Sequence, residues 1–361
     1  VKAKPIDFDL RSHNILNISR ERRSNMIKKN KDIKKRKRKW PKILSIGVVV
    51  ILLLALIAPL FIPINGAEGL QEPDSLMSDD GYIVTLPFDG TDGIETYYIY
   101  KEAQVETDRT FILLHGSLYN SSTWNEVVDY LSTKGNVYAY DQAPYGLSEK
   151  MVEGDWTGKN PYTIDAATQQ LETFMDELGI DKATLVGSSY GGVIAAEAAI
   201  SFSERVDEII FIDAAVYVNE SVPQWLMETP QMEKLGPLLA KGLGSGDAFY
   251  ESIYYVEEAL TDERMALNKL MTNFENWDLA FWEYLQAWGG VTSDVASQLD
   301  QVNQRTLVIT GDKDSIVPME QSEQLAAELS NATFVVLEEC GHMPHEEKPE
   351  AFIRILEDWL E

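Results

Sequence analysis

The residues best placed to do chemistry lie in the run Val186-Gly187-Ser188-Ser189-Tyr190-Gly191-Gly192, where the pattern G-x-S-x-G follows an apolar stretch and precedes the small residues 193–199. A strand that turns this sharply into a helix strains the central residue, so Gly187 and Gly191, two before and two after it, must be small. Ser189 is expected to stand exposed at that turn as a nucleophile. The next N–H, that of Tyr190, opens the helix and points toward any oxyanion formed by attack of Ser189, where the helix dipole adds to it.

A serine hydroxyl is a poor nucleophile until a base takes its proton, and the chain offers four histidines. His13 sits in a basic amino-terminal segment far from the rest. His115 follows the apolar run 111–114, where a structural role suits it better than proton transfer. In Cys340-Gly341-His342-Met343-Pro344-His345, His342 is expected to be the base because Gly341 lets the loop turn inward. His345, beside Glu346 and Glu347, is expected to brace that loop. The third member must be a buried carboxylate that orients the imidazole. Asp312 suits a turn, whereas Asp314, with Ile316 and Val317 behind it, is expected to be the acid, and Asp213 is the alternative. The chain order is then Ser189, Asp314, His342.

These groups need elements to carry them. β-branched and aromatic runs predict strands at 82–87, 96–100, 110–114, 136–140, 184–186, 208–212, 306–309 and 333–337. Amphipathic stretches predict helices at 122–133, 163–178, 191–202, 320–329 and 349–360. A hairpin turn fits Asp89-Gly90 and Asp92-Gly93. The expected fold class is α/β: an eight-stranded, mostly parallel sheet with an antiparallel start, flanking helices, and sites at the carboxyl ends of the strands. Residues 214–300 interrupt the alternation with helical signals and are expected to form an inserted cap. Twelve aromatics in 217–300, among them Trp225, Phe249, Phe281 and Trp288, pack that cap or line a pocket. The hydrolytic core is then 81–213 together with 301–361.

Several separated stretches keep this register: Leu113-Leu114-His115-Gly116-Ser117, the segment from Asp141 to Ser148, the 187–191 elbow, 311–318, and the segment from Gly341 to Pro349. On those residues the sequence resembles the α/β-hydrolase family across roughly 80–361, departing from its pattern where Pro144 takes a place usually held by glycine. The resemblance implies that the Ser117 N–H is the second oxyanion donor and that 214–300 is the lid after the sixth strand. It also implies acyl transfer, since related dehalogenases and epoxide hydrolases carry aspartate at the elbow. The expected substrate is a small-molecule carboxylic ester with a hydrophobic acyl or alkyl part, cleaved through an acyl-enzyme with neither metal nor organic cofactor. A peptidase or carbon–carbon bond hydrolase would use the same triad, and a ligand-binding sensor would use the same pocket.

Composition bounds the rest. The chain has 361 residues, a formal net charge of −27, one cysteine and four histidines, which excludes an internal disulfide and the usual four-ligand zinc staples. Residues 1–42 hold 16 Lys/Arg against 4 Asp/Glu, so the remainder carries 15 against 54, a net of −39. That acidity makes nucleic-acid binding by the body improbable. Residues 1–33 read as a mobile tail and 63–80 as a linker. Between them, 43–62 carries no charge and predicts a transmembrane helix. With the basic cluster Lys34 to Lys39 on its amino-terminal side, it predicts a single-pass protein of the cell membrane, its amino terminus cytoplasmic and its hydrolytic body outside. Sequons at Asn120, Asn219 and Asn331 are candidate glycosylation sites.

Overall fold

A computed structural model describes residues 11–217, 222–290 and 294–361, and the chain divides into two compact units, 1–62 and 63–361. In the first, a single helix α1 runs Arg11–Ile57, so the residues read as a mobile tail are helical from Arg11 onward. Lys, Arg and Leu, all good helix formers, supply 20 of its 47 residues.

Among the described residues no helix is both long and apolar enough to cross a membrane, which corrects the expected transmembrane helix at 43–62. The reason lies in where the helix ends. Its apolar part begins at Ile43 and the α-helix stops at Ile57, giving way to a 3₁₀ turn, Ala58–Phe61, that contains Pro59. About 15 residues at ~1.5 Å each reach about 22 Å, short of a hydrocarbon layer of ~30 Å. The single-pass placement, with the body outside a cell membrane, and the membrane as a partner fall with the span.

The second unit opens on residues 63–80, read above as a linker but pinned to the body. The Ala67 N–H donates to Asp278 Oδ1 at 2.8 Å, and the Leu70 and Gln71 N–H groups donate to the Asn273 carbonyl. The sheet follows: β1 Gly81–Leu86, β2 Ile94–Lys101, β3 Thr110–Leu114, then helix α2 Val128–Ser132, β4 Asn136–Tyr140, helix α3 Ile164–Glu177, β5 Ala183–Ser188, helix α4 Tyr190–Ser201 and β6 Val206–Ile212. Among the described residues five α-helices fill the stretch before the next strand, α5 Gln224–Met227, α6 Pro230–Ser245, α7 Asp247–Ile253, α8 Asp262–Asn268 and α9 Trp277–Gly290, with 3₁₀ helices at Glu257–Ala259, Leu270–Asn273 and Val295–Gln301. The chain closes with β7 Arg305–Gly311, α10 Met319–Glu328, β8 Ala332–Leu337, α11 Pro344–Glu347 and α12 Pro349–Leu360.

The eight strands form one sheet in the order β1-β2-β4-β3-β5-β6-β7-β8. Pairing is antiparallel for β1/β2 and β2/β4 and parallel elsewhere. Strands buried on both faces need apolar side chains at successive positions, and β3 shows the division. Ile112 and Leu114 join the core on the α3/α4 side, while Phe111 and Leu113 join the core built with Phe352, Leu356 and Trp359 of α12. The expected helix at 122–133 is instead a 3₁₀ turn Ser121–Trp124 followed by the short α2, because Asn120 caps the turn by accepting from the Ser122 N–H. Asn120 is buried and donates to the Leu267 carbonyl at 2.8 Å, so its sequon is closed to a glycan in the folded chain. Asn331 is exposed, and Asn219 lies outside the described residues.

Candidate active site

The turn from β5 into α4 holds Ser189 at φ 52° and ψ −115°, a conformation that non-glycine residues adopt only under constraint. The constraint is visible in the neighbours. A Cβ on Gly187 would lie 2.5 Å from the Gly191 carbonyl oxygen, and one on Gly191 would overlap the Leu114 carbonyl of β3. The crossing is packed backbone on backbone. Ser189 stays partly exposed while Ser188 and Tyr190 on either side are buried. Tyr190 is the first residue of α4, so its N–H has no carbonyl four residues earlier within the helix to accept it.

Asp314 and His342 arrive on the loops after β7 and β8. His342 Nδ1 and Asp314 Oδ2 are 2.7 Å apart and both side chains are buried. Burial by itself would raise the Asp314 carboxyl. The His342 imidazole and the N–H groups of Ile316 and Val317, which donate to Oδ1 at 2.7 and 3.0 Å, outweigh it and hold the group below the usual carboxylate range. An ionised Asp314 fixes the Nδ1–H tautomer and leaves Nε2 free to accept a proton. Asp312, by contrast, faces Lys313 and the Cys340 N–H.

Ser189 and His342 line one cavity of about 170 Å³ together with Gly116, Ser117, Tyr119 and Tyr190 of the sheet edge and Phe249, Ile253 and Trp288 of the helical insertion. Among the described residues the Ser189 hydroxyl makes no hydrogen bond to His342, a looseness common before substrate enters. A larger groove of about 540 Å³ runs past Glu95, Glu149 and Lys150, away from the Ser189 cavity.

The remaining candidates have other work. His115 is fully buried, its Nδ1 on the Gly116 carbonyl at 2.8 Å and its Nε2 accepting from the Gln142 N–H at 2.9 Å; burial lowers its pKa to about 4. His345 stacks on Trp124 with centroids 4.5 Å apart and meets Thr123 Oγ1 at 3.0 Å, and burial followed by the Arg264 charge lowers it to about 3. Asp213 accepts from Thr310 Oγ1 at 2.6 Å and from the Gly311 N–H, and one oxygen of Asp213, one of Asp314 and a ring nitrogen of His342 lie within 4.8 Å of one another. Its Oδ2 finds no donor among the described residues. Burial and then the Asp314 charge push its carboxyl well above the usual range, which favours the neutral form of Asp213 beside Asp314. Those same three groups form the one cluster among the described residues close enough to share a cation, and Asp314 is already engaged by His342.

Glu347 and Tyr284 do work that the sequence reading missed. The Glu347 carboxylate accepts from four backbone N–H groups: Gly341 and Met343 on the His342 loop, and Tyr255 and Val256 in the insertion. The His342 N–H adds a bond to the Ile253 carbonyl at 3.2 Å. Tyr284 meets Ser117 Oγ at 2.6 Å, tying α9 to the loop after β3. A signal for Tyr284 was present, since Trp277, Phe281, Tyr284 and Trp288 recur at i, i+4, i+7 and i+11, one helical face. For Glu347 the adjacent carboxylate pair beside His345 was the only hint.

Comparison with known proteins bears on the fold. A family model for the alpha/beta hydrolase fold matches residues 109–349. The chain is 26% identical over 275 residues to the uncharacterized hydrolase YugF of Bacillus subtilis strain 168, covering 74% of this chain and 95% of that protein. It is 29% identical over 267 residues to a 2-hydroxy-6-oxononadienedioate/2-hydroxy-6-oxononatrienedioate hydrolase of Paraburkholderia phymatum, covering 70% and 86%. Among solved structures, a thermophilic esterase from Thermogutta terrifontis superposes with a TM-score of 0.59 at 20% identity, over 77% of this chain and 98% of that one. With eight strands in this order, a strained serine at the β5 turn and a family match across most of the body, the chain belongs to the α/β hydrolase fold family.

Proposed function

We propose that this hydrolase cleaves carboxylic esters through Ser189, His342 and Asp314, with residues 81–213 and 301–361 as the catalytic core and 214–300 as its cap. Ser189 Oγ attacks the ester carbonyl carbon while His342 Nε2 takes the hydroxyl proton. The N–H groups of Tyr190 and Ser117 hold the tetrahedral oxyanion. As the intermediate collapses, the carbon–oxygen bond to the alcohol breaks and His342 returns the proton to the leaving oxygen. Water, deprotonated by the same imidazole, then attacks the acyl-enzyme and releases the acid and free Ser189.

The observation that carries this reading is the 2.7 Å pair between His342 and Asp314 opening onto the cavity that the strained Ser189 also lines. The activity for which the Paraburkholderia relative is named favours a second reading, cleavage of a carbon–carbon bond in an oxo-dienedioate by the same residues. Replacing Ser189 by Ala should lower kcat/KM on a short p-nitrophenyl ester by at least about 10³-fold with the circular dichroism spectrum unchanged. An unaltered rate would refute the assignment, and turnover of an oxo-dienedioate without any ester turnover would move it to the second reading.

A further inference from the structure

We infer that the cavity selects a short, uncharged acyl group and rejects anionic ones; this rests on the ester reading above and narrows it. Size comes first. The space around Ser189 and His342 is about 170 Å³, whereas a cavity of about 150 Å³ accommodates benzene and general ligand pockets run to roughly 300–1,000 Å³. An acyl chain of four carbons fits such a space and one of eight does not.

Charge comes second. Among the described residues that line the cavity none is Lys, Arg, Asp or Glu, and His342 is already committed to Asp314. The segments outside the described residues nearest in sequence to these walls, 218–221 and 291–293, contain no Lys or Arg and so bring no cation. In the insertion, Lys241, Arg264 and Lys269 are each engaged with a carboxylate, those of Asp278, Glu346 and Asp247, and the fourth cation, Lys234, is not among the residues that line the cavity. Residues 214–300 hold 14 Asp/Glu against 4 Lys/Arg, a net of −10, inside a body of net −39. A carboxylate entering this apolar space loses its hydration with no counter-charge to replace it, and it approaches against the field of the whole body. The dienedioate named for the Paraburkholderia relative is a dianion, so this chain meets such a substrate with the wrong electrostatics.

The test uses the full chain and three p-nitrophenyl esters, with rates normalised to alkaline hydrolysis: the crotonate, the fumarate monoester and the octanoate. Crotonate and fumarate share one trans frame, a methyl group in the first standing where the second carries a carboxylate. We expect kcat/KM for crotonate to exceed that for the fumarate monoester by about 100-fold or more, and that for octanoate by about 10-fold. Raising salt from about 20 mM to about 500 mM should lift the fumarate rate while leaving crotonate nearly constant. Phe249→Arg, on the cavity wall, should narrow the gap about 10-fold. Ser189-dependent hydrolysis of fumarate or octanoate at rates equal to crotonate would overturn the inference and leave the ester mechanism standing. Hydrolysis of none of the three would overturn the ester reading, and this inference with it.

Discussion

At Ser189 the backbone is held in a conformation that costs of order 1–3 kcal/mol and is retained because Gly187 and Gly191 let β5, α4 and β3 pack without side chains between them. At Asp314 and Asp213 two carboxyls sit side by side, one pushed below the usual carboxylate range and the other above it, which favours different work for each. Asp314→Asn should lower kcat by about 10³–10⁴-fold through loss of the Nδ1–H tautomer, whereas Asp213→Asn, which keeps a neutral group of the same shape, should stay within about 10-fold of the parent. Steady-state kinetics on one ester decides it, and the reverse order would move the acid to Asp213. His115 gives a pH signature. Its folded pKa of about 4 lies below the unfolded value of about 6.5, so between those limits the unfolded chain binds a proton that the folded chain refuses. Stability from neutral His115 is therefore present above pH 6.5 and declines by about 1.4 kcal/mol per unit as pH falls toward 4. His115→Gln should be less stable than the parent at pH 7 by about 1–2 kcal/mol, and that gap should close by about pH 5 in denaturant titrations.

The elements turn these residues into a site by fixing loops to one another. The loops after β7 and β8 present Asp314 and His342, and the insertion grips both: Ser315 Oγ donates to the Ser252 carbonyl at 2.8 Å, and Glu347 gathers N–H groups from the His342 loop and from residues 255 and 256. A carboxylate offers only acceptors, so it can satisfy four converging N–H donors; an amide turns two donors of its own against them. Glu347→Gln should cost about 2–3 kcal/mol of stability and lower kcat about 10-fold, because the His342 loop loses its fixed distance from Ser189. Denaturant titration and kcat measured on the same preparation check this, and a stable variant with the parent kcat would show that the loop is held by other contacts. Tyr284 plays the corresponding part for the loop after β3 through Ser117.

For the 63–361 unit, the central strands are buried on both faces, and β3 contributes Ile112 and Leu114 to one core and Phe111 and Leu113 to the other. Residues 67–71 belong energetically to the body, since their N–H groups end on Asn273 and Asp278. Compared with a chain beginning at Pro63, one beginning at Pro73 should lose about 2–4 kcal/mol, because the bonds from the Ala67, Leu70 and Gln71 N–H groups to Asp278 and Asn273 are gone. Thermal melts of the two chains would show it, and equal melting temperatures would mean the segment is ornamental. The amino-terminal unit shows how an apolar run misleads when read alone. From Ile43 onward the composition suits a membrane span, but the helix ends at Ile57, just before Pro59, and leaves too little length to cross.

The eight strands and most of the helices that alternate with them, 122–133 excepted, were legible in the sequence because side-chain periodicity and turn chemistry act over a few residues. The strained serine was legible for the same reason, since a sharp strand-to-helix turn writes its glycines two residues to either side. Which carboxyl meets His342, how tightly the insertion is bound to the loops of Asp314 and His342, and how small and uncharged the cavity is were settled only in three dimensions. Those properties depend on side chains far apart in the chain, such as Glu347 and Val256 or Ser117 and Tyr284, and no local pattern records a distance that only packing sets.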